Sequence, residues 1–466
     1  MSDTPSPDQQ PSRYQRLLAL FDQRILRVLY RGRVRRTVLQ SIPFWVASVL
    51  TGLAAVAYEQ AFSWAEQMSF RWLRIQPLLA FVVMPLGFLL AWLVVKQLAP
   101  AARGSGIPQV LAGIALSGPT THQKTGWLLS MRVAIVKVVS SVLLLLSGGV
   151  IGREGPTIQI SAAIFRAINR LQPVGWPQLS RQIALITGGA AGLAAAFNTP
   201  LGGIVFVVEE LTQTHITHFR TAVFTAVIIA GITAQGLLGP YLYLGFPVVA
   251  SSGGMVWLGL ATVAVVCGLT GAAFAKLLLA LGRYRQRLKT PGQQAAWVAG
   301  GALLLAGLAY LIGTDAIGTG KVLINRLLFQ NQHDTPWYLG LVRLTGMAVS
   351  YSSGAAGGIF ATSLSVGAIL GDAMARLLRI PISDHNLIML VGMVSFLTGV
   401  VRSPFTAAIL VLEMTDRHSV IFQLLLGGLL AQGAASLLDP ESFYEHLKTG
   451  FLREATARDK TDVQPG

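Results

Sequence analysis

The stretch GGAAGLAAAFNTPLGGIVFVVEELT, residues 188–212, has a second copy in the same chain, GMVSFLTGVVRSPFTAAILVLEMTD, residues 392–416. With no gap, Gly188 falls on Gly392, Pro200 on Pro404 and Glu209 on Glu413. Apolar strings match one another easily, so the aligned proline and glutamate carry the argument. Upstream of each copy, at nearly the same offset, lies a glycine-rich break: GGVIGREGP (148–156) in one half and GAAGGIFAT (354–362) in the other. The chain reads as an internal repeat with halves at about 40–240 and 250–437.

Composition gives these halves their solvent. Of 466 residues, 53% are hydrophobic and only 12% charged, against about 25% charged in soluble domains. Apolar runs at 44–58, 78–95, 255–275 and 295–313 approach the length of about 20 residues that spans a bilayer. The expected fold class is an all-α polytopic membrane protein over 40–450, flanked by an N-terminal arm (1–39) and a short polar tail (451–466). A soluble protein would need far more charged surface.

The net charge of +16 does not point to nucleic acid, because no basic residues interleave with aromatics for base stacking. Basic residues sit largely at segment ends and in the arm, which carries Arg13, Arg16, Arg24, Arg27, Arg31, Arg33, Arg35 and Arg36. The positive-inside rule places that arm in the cytoplasm, with 12–33 as an amphipathic helix on the membrane face. VRRTVLQ (34–40) looks like a twin-arginine export signal, but no small-residue cleavage site follows, so the first apolar run reads as a retained span. Cys267, the sole cysteine, excludes an intrachain disulfide and a cysteine metal cluster and reads as a small core residue.

Many apolar segments are too short to cross and are interrupted by Gly and Pro: GSGIPQVLAGIAL (104–116), TPLGGIVFVVEEL (199–211), GAAGGIFATSLSVGAILG (354–371) and SPFTAAILVLEMTD (403–416). Broken helices occur at membrane depth where backbone is buried in protein or lines a cavity. Matching breaks in two halves point to a binding site at their interface. A helix that starts inside the membrane leaves its first N–H groups unpaired and carries about half a unit of positive charge there. Several such starts converging would hold a small anion. Glycines let backbone approach it, and prolines fit the first turn. Arg153 and Glu154 lie in one such break, where a charge costs about 2.5–3.5 kcal/mol even on lenient scales. Adjacent helical residues do not face each other, so a simple Arg153–Glu154 ion pair is disfavoured and Glu154 is a functional candidate.

GSGIP (104–108), GREGP (152–156), GGIFA (357–361) and RSPFTAAILVLEMTD (402–416) resemble the CLC family of chloride channels and chloride/proton antiporters in residues, order and context. The resemblance spans about residues 40–450. It implies two inverted repeat halves of tilted and broken helices, a terminal helix carrying Tyr444, and a homodimer with one anion pathway per subunit in a bilayer, expected to be a bacterial inner membrane. It implies chloride and protons as partners and no cofactor. It also implies chloride ligation by the hydroxyls of Ser105 and Tyr444 and the backbone N–H groups of Ile359 and Phe360, with Gly106, Gly155 and Gly358 permitting close approach. Glu154 resembles the gating glutamate, also the external proton-transfer group, whose carboxylate competes with chloride. Thr362 stands where the family often has Pro; Thr is acceptable, even as a cap, early in a helix.

The repeat separates the two acidic neighbours Glu209 and Glu210. Glu209 has a counterpart, Glu413, and suits packing or capping common to both halves. Glu210 aligns with Met414 and suits a task that one half performs alone; in the resemblance it is the internal proton-transfer site. Two titratable stations, Glu154 and Glu210, are what an exchanger needs beyond a channel. The expectation is a chloride/proton antiporter, with a passive chloride channel as the alternative. An intramembrane enzyme is remote. SYSSGAAGG (350–358) supplies serines, but the seven histidines lie near segment ends or in polar loops. HITH (215–218) lacks a third metal ligand, and GTGKV (318–322) is no phosphate loop. The stretch after about 450 is too short for a soluble nucleotide-sensing domain.

Overall fold

A computed structural model describes residues 32–119, 121–172, 180–211, 220–239, 242–249, 254–330 and 335–462. The amphipathic segment expected over 12–33 and the HITH stretch at 215–218 lie outside these, apart from the first residues of α1. The first half runs α1 (Gly32–Ile75), α2 (Ala80–Leu98), α3 (Ile107–Ala115), α4 (Met131–Leu146), α5 (Glu154–Arg170), α6 (Arg181–Phe197), α7 (Pro200–Phe206) and α8 (Arg220–Leu238). The second runs α9 (Gly254–Arg287), α10 (Pro291–Ile312), α11 (Lys321–Phe329), α12 (Tyr338–Ser352), α13 (Phe360–Leu377), α14 (Ile382–Val401), α15 (Pro404–Thr415) and α16 (Ile421–Leu438). α17 (Phe443–Asp462) follows. Among the described residues, eight helices are long and apolar enough to cross a membrane, and the non-helical pairing consists of two isolated bridges.

The two series match in kind. The third helix of each is nine residues long and follows a left-handed glycine, Gly106 at φ 113° and Gly320 at φ 89°. α7 and α15 both open on proline, whose missing N–H costs nothing at a helix start. α5 packs on α6 as α13 packs on α14. α14 is buried along almost its whole length, from Asp384 to Val401, because glycines bring its backbone against α13. A Cβ at Gly367 would strike the Gly392 carbonyl, and one at Gly392 the Gly367 carbonyl. Small residues at helix crossings are the means by which membrane helices pack closely.

The halves meet reciprocally at the centre. Gly152 N–H donates to Gly358 O at 2.8 Å, and Gly358 N–H donates to Gly152 O at 2.7 Å. The two glycines hold equivalent places in GGVIGREGP and GAAGGIFAT. A contact in which each partner makes the other's bond is the mark of a two-fold relation.

α17 differs from the expected short polar tail. It continues as helix through Asp462, buries Phe451 and Ala455, and ties Glu454 to Arg103 of the first half, with Arg103 Nη1 donating at 3.1 Å. The Arg103 guanidinium also lies 4.5 Å from the Phe451 ring centre. A chain that reads as polar from residue 451 thus docks through one face while leaving charge on the other.

Candidate ion site at the convergence of helix starts

Three broken segments deliver their ends to one place. Ser105 precedes α3, Glu154 is the first residue of α5, and Ile359 caps α13. Ser105, Glu154, Ile359 and Phe360 are each about 1% exposed. Spacing follows from glycine. A Cβ on Gly155 would collide with Ser105 Oγ, and one on Gly106 would come 2.7 Å from Gly155 O. At Gly358 an added Cβ would lie 3.0 Å from Gly152 O. All three candidate close-approach glycines therefore sit at this junction.

The Glu154 side chain reaches across to the second half. Its Oε2 accepts from Ala361 N–H at 3.5 Å, within the first turn of α13, and its Oε1 is buried without a hydrogen-bond partner. A carboxylate thus occupies the electropositive start of another helix. The Arg153 guanidinium forms its salt bridge with Glu59 of α1, in keeping with the geometry of adjacent helical residues.

Tyr444 arrives from α17, fully buried, its ring stacked on Phe360 with centres 6.3 Å apart and planes 6° from parallel. Ser105, Tyr351, Glu210 and Glu154 all lie within its electrostatic reach. Ser105 Oγ and Tyr444 Oη are both buried and make no hydrogen bond of ordinary geometry. Buried hydroxyls are normally satisfied. Two such donors beside the start of α13 form a set suited to a small anion. Thr362 fits its helix differently from a cap: its hydroxyl donates to Ile359 O at 3.1 Å, and α13 forms with Thr at its third position.

Glu209 and Glu210 separate as the repeat implied. Glu209 accepts from Phe405 N–H at 3.1 Å, Thr406 N–H at 2.6 Å and the Thr406 hydroxyl at 2.7 Å, capping α15. Glu413 accepts from Leu201 N–H at 3.1 Å and Gly202 N–H at 2.6 Å, capping α7. Each half's glutamate closes the other half's helix. Glu210 does neither: it accepts one bond, from Ser403 Oγ at 2.7 Å, and is half-buried. Both acids lie in a π-helical turn, Val207–Leu211, whereas α15 continues as regular helix through the matching residues. Such turns recur at functional sites. Glu445 and Lys448 of α17 lie near Glu210.

Sequence reading passed over Lys137. It is fully buried on α4 and donates to Gly104 O at 2.9 Å. The same carbonyl accepts from Gly357 N–H at 3.1 Å, and Gly104 N–H donates to Ala355 O at 2.9 Å. Lys137 thus fixes the loop that carries Ser105. The signal was a lone lysine inside an apolar run, as unusual there as Glu154. Glu59 was equally legible as a charge within the first span.

Comparison with known proteins is consistent with this geometry. The family model described as voltage gated chloride channel matches residues 86–436. The chain is 32% identical to the H(+)/Cl(-) exchange transporter ClcA of Salmonella gallinarum over 95% of its own length and 96% of that protein. It is similar to the crystal structure of a slow cyanobacterial Cl-/H+ antiporter, at a TM-score of 0.74 and 26% identity, covering 89% of this chain and 98% of that one. A CLC-type fluoride/proton antiporter shares the fold at a TM-score of 0.72 and 22% identity, over 88% of this chain and 97% of that one.

Proposed function

Since the chain belongs to the voltage-gated chloride channel (CLC) family, we propose that it is a chloride/proton antiporter. The observation that carries this reading is the Glu154 carboxylate at the start of α13, beside the unsatisfied hydroxyls of Ser105 and Tyr444. Ionised, Glu154 stands in for an anion at those N–H groups. Protonated, it loses the charge that holds it there and yields the place to chloride. Chloride is then held by Ser105, Tyr444 and the N–H groups of Ile359 and Phe360. Glu210, which caps no helix, exchanges protons with the opposite side. Because chloride and the ionised carboxylate compete for one set of donors, chloride entering from one side drives a proton toward the other.

The same reading makes the protein a homodimer with a pathway in each subunit, spanning a bacterial inner membrane with its N-terminal arm in the cytoplasm. It takes residues 40–450 as the membrane domain, with repeat halves near 40–240 and 250–437. The basic arm supports the orientation through the positive-inside rule.

Paired recording of chloride and proton flux from reconstituted liposomes tests the function. An antiporter moves protons uphill when a chloride gradient is imposed. Chloride flux with no coupled proton movement would make the protein a passive channel, and no anion flux would remove the transport reading.

A further inference from the structure

Between them, α9, α10 and α12 leave an apolar groove of about 860 Å³. Leu277 and Leu281 line it from α9, Trp297 and Leu304 from α10, and Leu341 and Val349 from α12. One end lies at the α9–α10 turn, where Tyr284 and Trp297 pack with ring centres 5.1 Å apart. Aromatic pairs of this kind collect at the membrane–water interface. The last turns of α9 carry Arg283 and Arg287 and the connection to α10 carries Lys289, all exposed. Lys96, at the end of α2, joins them by donating to Gln294 Oε1 at 2.9 Å. No Asp or Glu occurs on α2, α9, α10 or α12. An apolar channel thus opens beside a cluster of cations, with no carboxylate on the four helices α2, α9, α10 and α12.

We propose that this groove binds an anionic phospholipid, with an acyl chain between α9, α10 and α12 and the phosphate against the basic α9–α10 turn. Charge complementarity selects the anionic class: a zwitterionic headgroup gains less from uncompensated cations, and basic pockets between membrane helices are established sites for acidic headgroups. The far wall gives the site a consequence. Ser352 and Ser353 line the groove and lead into the loop whose Gly357 N–H holds Gly104 O. A chain seated there braces the back of the segment that ends at Ile359.

Phosphatidylglycerol and phosphatidylcholine probes carrying a photoreactive group in the acyl chain, used on the full-length protein in nanodiscs, test this. Labelled residues are mapped by peptide mass spectrometry. The phosphatidylglycerol probe is expected to label the groove in preference to phosphatidylcholine. In the triple variant R283Q/R287Q/K289Q that preference should fall by on the order of 10- to 100-fold at low ionic strength, and high salt should reduce it in the unmodified protein. Gly300→Leu provides a second arm. Gly300 lines the groove, and a Cβ there meets nothing within 4 Å, so the larger side chain fills space without a clash and should abolish groove labelling by both probes. Equal labelling by the two lipids, or labelling indifferent to Gly300→Leu, would overturn the proposal and leave this face as ordinary lipid-exposed surface. The readout is labelling, so the result stands apart from the transport reading.

Discussion

Glu154 is held by a single long bond from Ala361 N–H and by the field of the α13 start. That combination makes it removable. Glu154→Ala takes away both the competing carboxylate and the proton carrier. Chloride flux should persist, lose its dependence on pH and become uncoupled from protons, and Glu154→Gln should behave similarly; paired flux across a pH series measures both. A neighbouring glycine offers a subtler test. A Cβ on Gly152 would collide with Glu154 Oε2, so Gly152→Ala should displace the carboxylate while leaving its chemistry intact. The variant should move from coupled exchange toward the passive flux of Glu154→Ala, and unchanged coupling would mean that the carboxylate does not work from the place described here. At this scale the meeting of Ser105, Glu154 and their glycines was legible because the breaks that carry them are short local motifs that resemble those of a known family. Lys137 showed only as a lone lysine in MRVAIVKVVSSVLLLLS; its task was not legible there, because it comes only through Gly104 O, a partner on another element. Arg153 likewise showed what it would not pair with, but its partner Glu59 comes from α1.

The crossed caps belong to the element scale. Replacing a helix-capping acceptor costs about 0.5–2 kcal/mol, and the loss grows with the number of donors stranded. Glu209→Ala strands three donors and Glu413→Ala strands two. Both should lower thermal stability in detergent, Glu209→Ala by more. Chloride/proton coupling should survive Glu209→Gln and disappear in Glu210→Gln, while chloride flux continues in both. If the two glutamines exchange these behaviours, the π-helical turn has been assigned to the wrong acid. The gapless alignment of Pro200 with Pro404 and Glu209 with Glu413 made a shared structural task visible. What alignment could not disclose is that each glutamate serves the opposite helix, since that depends on how the halves cross. The π-helical turn was hidden as well: EEL and EMT differ by little in helix propensity, and the difference in winding is set by packing.

At the scale of the whole molecule, the proposed homodimer with one pathway per subunit makes a definite forecast for mixed dimers. Protein assembled from unmodified and Glu154→Ala subunits should show coupled and passive flux side by side, in proportion to the mixture, with no suppression of either; a dominant effect of one subunit on the other would argue for a shared route. The order in which the parts occur along the chain has its own consequence. The first half brings Ser105 and Glu154, the second brings the α13 start, and Tyr444 comes last, on a helix clamped back onto Arg103 by Glu454. A nascent chain emerging from the ribosome therefore holds Ser105 and the proposed gate, Glu154, before it holds the α13 start that Glu154 reaches and the Tyr444 hydroxyl. Each half alone lacks groups that the proposed site draws from the other, and a translation product that stops short of α17 lacks the Tyr444 hydroxyl. On the proposed reading, the order of synthesis leaves the ion pathway incomplete until the chain is nearly finished.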